Sequence, residues 1–206
     1  MAELIDYGFT NNDPSHTFFY VGPEVLKMLD RNKNTCILDL GCGNGHFVNH
    51  LVGLGYNAYG IDASANGIAI AKQSLPERFF IQDLSSKELP AGLQGINFDT
   101  IISIEVIEHL YDPEGFIHFC KQALSKGGEI IISTPYHGYL KNLVLSIFNK
   151  WDKHWAPARY GGHIKFWSRK TLTDLLTTKG FTFTRYRGCG RLPFFWKSML
   201  IKAKID

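Results

Sequence analysis

The chain has 206 residues, 45% of them apolar, with a formal net charge of +3; residues 1–206 are expected to form a single domain that buries a full core without disulfides. Cys36, Cys42, Cys120 and Cys189 lack the paired spacing of a disulfide framework or a zinc array, and no apolar run reaches the ~18 residues of a membrane span, so a cytoplasmic protein is expected. The charge is uneven, with 8 Lys/Arg against 16 Asp/Glu in residues 1–137 and 14 against 3 in residues 138–206; the basic third is either a solvated surface or a face for an anionic substrate, a lipid headgroup or nucleic acid.

Residues 1–34 read as a helical lead-in. Pro23 is placed at the first turn of a helix running through Asp30, where its missing N–H costs nothing. Residues 36–40 form a short apolar run that ends at glycines, and Phe47, Leu51 and Leu54 then recur at helical spacing. Residues 57–61 read as a second strand, 65–73 as a helix, 78–82 as a third strand and 98–103 as a fourth. Asp112, Pro113 and Glu114 open a helix as N-cap, first helical residue and acid at the positive end. Gly127 and Gly128 are expected to end that helix before a fifth strand at residues 129–133.

Residues 138–165 read as a lid or acceptor-site insertion, in which the stretch 139–155 mixes apolar and aromatic residues with lysines. That stretch either roofs a pocket by packing on the sheet or rests on a membrane surface. Ser168 begins a helix carrying Leu172, Leu175 and Leu176, which Gly180 closes. Residues 181–187 and 197–204 read as two last strands, suited to a hairpin at the sheet edge. Strands that are near-continuous apolar runs, alternating with helices, predict an α/β fold: a Rossmann-like doubly wound sheet, mostly parallel with an antiparallel C-terminal edge strand, and helices on both faces.

The loop Asp39-Leu40-Gly41-Cys42-Gly43-Asn44-Gly45 follows the first strand and opens a helix. Glycines there allow a tight turn and close approach of a ligand to the backbone. Counted from Gly41, the third glycine of a dinucleotide fingerprint falls on His46, and no GxxxxGK[ST] loop is present. The loop is therefore poorly matched to a pyrophosphate. It suits S-adenosylmethionine (SAM), which has no phosphate: Asp39 can attract the ammonium, and backbone N–H groups at the helix start can meet the carboxylate. Asp62, beside Ala63, ends the second strand where a ribose-binding acid is expected, and Asp83 ends the third, where an acid can accept from an adenine amino group.

With that ordered set, residues 35–135 resemble the class I SAM-dependent methyltransferases. The resemblance implies that Asp39, Gly41, Cys42, Gly43, Asp62, Ala63 and Asp83 line the cofactor, and that Leu84 and Ile104 contact its adenine and methionine portions. Just past the fourth strand, Glu105-Val106-Ile107-Glu108-His109 looks like the matching segment of the ubiquinone-biosynthesis O-methyltransferases. There the two acids and the histidine are associated with a divalent metal. By that resemblance Glu105, Glu108 and His109 are candidate ligands for Mg²⁺, and a metal would lower the pKa of a catechol-like hydroxyl. His109 is otherwise a general base or a contact beside the cofactor, and each of the acids is otherwise structural.

His137, after the fifth strand, and His163, before the last long helix, are further catalytic candidates at the same mouth; each is otherwise a packing or surface residue. Amine methylation of nucleic-acid bases often uses an Asn/Asp-Pro-Pro-aromatic motif after the fourth strand. Here that position reads Ser103-Ile104-Glu105-Val106. The expected reaction is methyl transfer to an oxygen of a small molecule, quinone-like, phenol-like or lipid-linked, giving S-adenosylhomocysteine. The rivals are a nucleic-acid methyltransferase, which predicts salt-sensitive binding, and a non-catalytic SAM-binding subunit. Peripheral membrane contact is the further partner the basic, aromatic third suggests.

Overall fold

A computed structural model describes residues 8–86, 88–155 and 161–205. The first seven residues of the expected lead-in and residues 156–160 of the expected insertion lie outside the described residues. In chain order the elements are α1 (Phe18–Leu26), β1 (Cys36–Leu40), α2 (His46–Gly53), β2 (Asn57–Asp62), α3 (Ala65–Ala71), β3 (Phe79–Ile81), β4 (Phe98–Ile104), α4 (Pro113–Ala123), β5 (Leu124–Pro135), α5 (Tyr139–Ile147), α6 (Trp151–Trp155), α7 (Arg169–Thr178), β6 (Phe181–Cys189) and β7 (Ser198–Ile205). A short 3-10 turn, Ile107–His109, follows β4.

The strands form one sheet in the order β3-β2-β1-β4-β5-β7-β6. The first five run parallel, and β7 pairs antiparallel with both β5 and β6. The expected Rossmann-like, mostly parallel sheet is therefore present with its antiparallel C-terminal hairpin. Within that hairpin β7 is seated against β5, which leaves β6 as the outer strand. The order reverses between β1 and β4, and ligands of open α/β sheets bind outside the strand ends at such a switch point. The C-terminal ends of β1, β2 and β4 bring the glycine loop, Asp62 and the Glu105–His109 segment to that crevice.

Alternation along the strands sorts side chains into two cores. Leu38, Leu40, Ile101, Ile130 and Ile132 face Phe116, Ile117 and Cys120 of α4 and Leu172 and Leu176 of α7. Ile37, Ile102 and Ile131 face the other way, onto Val21 and Val25 of α1, Phe47, Val48 and Leu51 of α2, and Ile68 of α3. Burial on both faces explains why these strands read as continuous apolar runs rather than alternating ones.

Three local expectations are corrected. The helix expected to start at Pro23 begins five residues earlier, because Thr17 already accepts from Val21 at 2.9 Å, and it ends at Leu26. Pro23 thus sits inside α1, where the packing of Val21 and Val25 on the sheet outweighs one missing helical hydrogen bond. Likewise α4 stops at Ala123, before Gly127 and Gly128. Leu124 is already paired with Phe98, and the glycines sit inside β5 at an irregularity in register, with Gly127 at φ 75°. The helix starts at Asp112 and Ser168 are as expected: Asp112 accepts from Gly115 N–H at 2.9 Å, and Ser168 and Thr171 form a reciprocal capping box.

Candidate active site

The glycine loop is shaped from both sides. Gly41 has φ +85°, and a Cβ there would stand 2.3 Å from a Val106 methyl. Gly45, at φ +77°, would clash with Ala71 and Phe79. The loop is stitched to the end of β2: Gly41 and Cys42 N–H donate to Ile61 O, at 2.8 and 3.1 Å, and Gly43 N–H donates to Asp62 Oδ2 at 2.8 Å. The other Asp62 oxygen accepts from Ser64 N–H at 2.7 Å. Most of the loop's backbone donors are therefore engaged within the protein. A ligand carboxylate cannot rely on them as freely as the sequence suggests. Gly41→Ala is expected to destabilise the fold by about 2 kcal/mol or more, through the methyl clash and the positive φ. A thermal melt checks this.

Asp39 and Asp62 are both buried, at 2% and 8% exposure. One Asp39 oxygen, Oδ1, has no hydrogen-bond partner. Burial, with Asp62 nearby, pushes the Asp39 carboxyl up to about 8. Burial also raises Asp62, against the opposing pull of backbone N–H groups from Ser64, Gly43 and Ala63. The Cys42 thiol, buried beside these acids, is pushed well up and stays protonated. Asp39, with its orphaned oxygen, is suited to a positively charged group, while Asp62 is held by backbone donors. Asp83, at the end of β3, is exposed and accepts from Ser85 N–H at 2.8 Å in a local turn. Leu84 is buried in one core, and Ile104 packs against the other.

Sequence reasoning missed the strip of chain laid across this loop. The Phe9 ring lies within contact of Gly43 and Gly67. Asn44 donates to the carbonyls of Asn11 and Asp13, both at 2.9 Å, and Asn66 donates to Phe9 O. Phe9 stands at the start of a polar stretch that has no periodicity to read.

Beyond β4, the two glutamates part company. Glu105 adopts φ 55°, unusual for a residue with a side chain. Its carboxylate accepts from Ser133 Oγ at 2.8 Å and Ser198 Oγ at 3.1 Å. Glu108 is fully buried and accepts from Thr134 Oγ1 at 3.1 Å. Burial raises both acids, Glu105 to about 7. The remaining Glu108 oxygen, Oε1, stands 3.9 Å from Nε2 of His109 and 3.9 Å from Nε2 of His163. These three side chains offer ligand atoms within 4.8 Å of one another. The cluster that converges is thus Glu108, His109 and His163, while Glu105 is turned toward the two serines.

The segment carrying His163 is strapped onto the 3-10 turn. Ile164 and Lys165 N–H both donate to Glu108 O, at 2.9 and 3.1 Å. His109 Nδ1 lies 3.1 Å from Gly162 O, a carbonyl that can only accept, so Nδ1 is the donor of that bond. His137 is buried, and burial with Lys141 nearby lowers it to about 4. Its ring meets Phe166 at 4.6 Å and His154 at 5.8 Å, and Trp155 stacks on Phe166 at 3.6 Å. His163 therefore belongs to the acid–histidine cluster, and His137 to an aromatic wall beside it.

A family model described as the methyltransferase domain matches residues 15–186. The chain belongs to the methyltransferase family. This methyltransferase is 27% identical over 185 residues to the ubiquinone biosynthesis O-methyltransferase of Cereibacter sphaeroides, an alignment covering 86% of this chain and 75% of that one. It is 35% identical over 123 residues to the protein of the same name from a Chelativorans species, covering 59% and 48%. Among solved structures it is similar to the PH0226 protein of Pyrococcus horikoshii, with TM-score 0.69, 19% identity and coverage of 96% and 95%. It is also similar to the magnesium protoporphyrin IX methyltransferase of Synechocystis with bound S-adenosylhomocysteine, with TM-score 0.63, 21% identity and coverage of 90% and 81%. The expected class I resemblance holds, and the enzyme is a SAM-dependent methyltransferase.

The site fits that cofactor on its own terms. Asp39 keeps an orphaned buried oxygen at the end of β1, and the glycines let the loop turn tightly beside it against Val106, Phe9 and Phe79. Asp62→Ala is expected to weaken S-adenosylhomocysteine binding about 100-fold, since a carboxylate that shapes the loop and can receive ribose hydroxyls is lost. Calorimetric titration of the folded variant measures it.

Proposed function

We propose that this methyltransferase acts on a hydroxyl oxygen of a small phenol-like, quinone-like or lipid-linked acceptor. The observation that carries the reading is the convergence of Glu108, His109 and His163 just past β4, beside the loop that holds the donor. The relatives named for ubiquinone biosynthesis O-methylation support the same class.

SAM, when bound, supplies an electrophilic methyl group on its sulfonium. The protein's part is to align the acceptor and remove its proton. His109 is fixed by its Nδ1 contact with Gly162, so Nε2 is presented as the base. Burial keeps the Glu108 carboxyl, 3.9 Å away, protonated at rest, and a positive charge on the imidazole favours its ionisation and is stabilised by it in turn. The aromatic wall of His137, Trp155 and Phe166 offers a flat face to an acceptor ring.

The same three side chains are also a candidate divalent site, and its composition differs from the Glu105, Glu108 and His109 set that the resemblance implies. One carboxylate and two imidazoles suit a transition-metal dication better than Mg²⁺, which prefers oxygen. The two roles exclude one another at His109, because a ligated Nε2 has no lone pair for a proton. A metal would instead act by lowering the pKa of the hydroxyl.

The test is turnover of a catechol against its diamine analogue, each with and without a chelator. Methylation of the catechol alone supports the reading, and chelator resistance assigns His109 as base. Methylation of the diamine alone, or of neither by protein that binds S-adenosylhomocysteine, overturns it.

A further inference from the structure

Lys141 is turned inward, which is unusual for its residue type. A lysine ordinarily runs its methylenes along apolar surface and keeps its ammonium in water. Here the residue is only 8% exposed. Its Nζ donates to Tyr136 O at 2.7 Å, which uses one of its three N–H donors. Among the described residues it forms no ion pair. Glu105 is the acid that acts on it, and the two Glu105 oxygens are already engaged by Ser133 and Ser198. One carbonyl contact does not offset the burial of a charge, and a methionine of similar length would fill the same space without it.

Other basic groups gather round this ammonium. Arg191, on the exposed β6–β7 loop, acts on both Lys141 and His154 of α6. Lys141 and His154 in turn act on His137. Burial, joined by Arg191, lowers Lys141 to about 8, and burial with the two cations holds His154 below its ordinary value. The rings of His137 and His154 stand 5.8 Å apart. His137 Nδ1 is buried without a completed hydrogen bond, as is Oδ1 of its neighbour Asn142. Such groups disfavour one another's charge until an anion stands among them.

The aromatic wall links this group to the acid–histidine cluster. His137 meets Phe166 at 4.6 Å, Phe166 stacks on Trp155 at 3.6 Å, and Trp155 meets His163 at 6.5 Å. We infer that Lys141, Arg191, His137 and His154 form a subsite for a phosphate group carried by the acceptor, at the opposite end of the wall from the hydroxyl that is methylated. Two cations match the charge of a phosphate monoester dianion, and each imidazole can add an N–H donor. A carboxylate would leave one of the cations unbalanced. Lys141 supplies a point charge with two N–H groups still available, and Arg191 a planar fork. The inference rests on the hydroxyl-acceptor reading for the rest of the ligand and adds the group that anchors it. It also gives part of the excess charge of residues 138–206 a ligand.

The probe is phenyl phosphate, titrated calorimetrically into the full chain saturated with S-adenosylhomocysteine at constant ionic strength, beside phenol, benzoate and inorganic phosphate. Phenyl phosphate is expected to bind about thirtyfold tighter than phenol, and tighter than benzoate. Lys141→Met and Arg191→Gln are each expected to weaken that binding about tenfold, with S-adenosylhomocysteine affinity retained as the check on folding. Should Lys141→Met not fold, Arg191→Gln on the exposed loop decides alone. Phenyl phosphate that binds no tighter than phenol overturns the subsite, and so does binding that Arg191→Gln leaves unchanged. Inorganic phosphate that binds as tightly as phenyl phosphate overturns the assignment to the acceptor, and tighter binding of benzoate overturns the choice of phosphate. The readout is binding, so a failed catechol turnover would overturn the hydroxyl reading without altering any of these outcomes.

Discussion

Replacing His109 by Ala is expected to lower kcat about a thousandfold, the size of effect general-base removal usually has. Cofactor affinity should stay within a few-fold of wild type, because the contacts His109 makes run to Gly162, Glu108 and His163. His163→Ala should cost less, about tenfold, if its ring only shares the Glu108 oxygen with His109. The contrast matters, since metal ligation predicts something different: two ligands of one ion should fail together, and both variants should lose any response to added metal. Added imidazole should restore part of the His109→Ala activity under the base reading, and none when the missing group is a ligand to an ion the site can no longer hold. Activity of His109→Ala near that of wild type would sink the base and metal roles alike.

The fold up to β4 was legible because buried parallel strands announce themselves as apolar runs and glycine punctuates them. Cys36–Leu40, Asn57–Asp62 and Phe98–Ile104 were each located to within a residue or so. The errors arose where one residue type serves two purposes. Gly127 with Gly128 is a plausible helix stop, but the chain uses the pair for an irregularity inside β5. Pro23 is a plausible helix start, but tertiary burial of Val21 and Val25 carries the helix through it.

The site divided in a similar way. Asp39, Asp62, Glu108 and His109 sit in a local pattern that sequence displays. The grouping of His163 with Glu108 depends on two backbone hydrogen bonds from Ile164 and Lys165 to Glu108 O, which span over fifty residues and leave no periodic trace. The inward turn of Lys141 on α5 was equally unreadable. The hydrophobic period shows that a helix has an apolar stripe, but not whether that stripe meets the protein.

Asp39→Asn is expected to make the ligand-free enzyme more stable while crippling its hold on the cofactor. Burial beside Asp62 raises the Asp39 carboxyl to about 8 in the folded protein, against an ordinary value of 3.8. Between those two values the unfolded chain has released a proton that the folded chain still binds. Stability therefore falls as pH rises across that window, and the full penalty is reached only above pH 8. At pH 7 it is on the order of 4 kcal/mol, taken as an upper bound. Asparagine cannot ionise and escapes this term, although its buried amide is itself unpaired, so a net gain of about 2 kcal/mol is expected. Denaturant melts at pH 5 and pH 8 should show the variant's advantage growing with pH; equal pH slopes in the two proteins would rule the linkage out. A ligand ammonium, which S-adenosylmethionine and S-adenosylhomocysteine share, reverses the balance, because it favours the ionised acid and is bound with proton release in the same window. Wild-type affinity for S-adenosylhomocysteine should accordingly rise with pH toward 8, and that of the variant should be both weaker and flatter. A pH-dependent gain of affinity lost in the variant would mark Asp39 as the acid that receives the ligand's ammonium: the apo enzyme holds a carboxyl it cannot ionise cheaply, and a positive group beside it would relieve that cost.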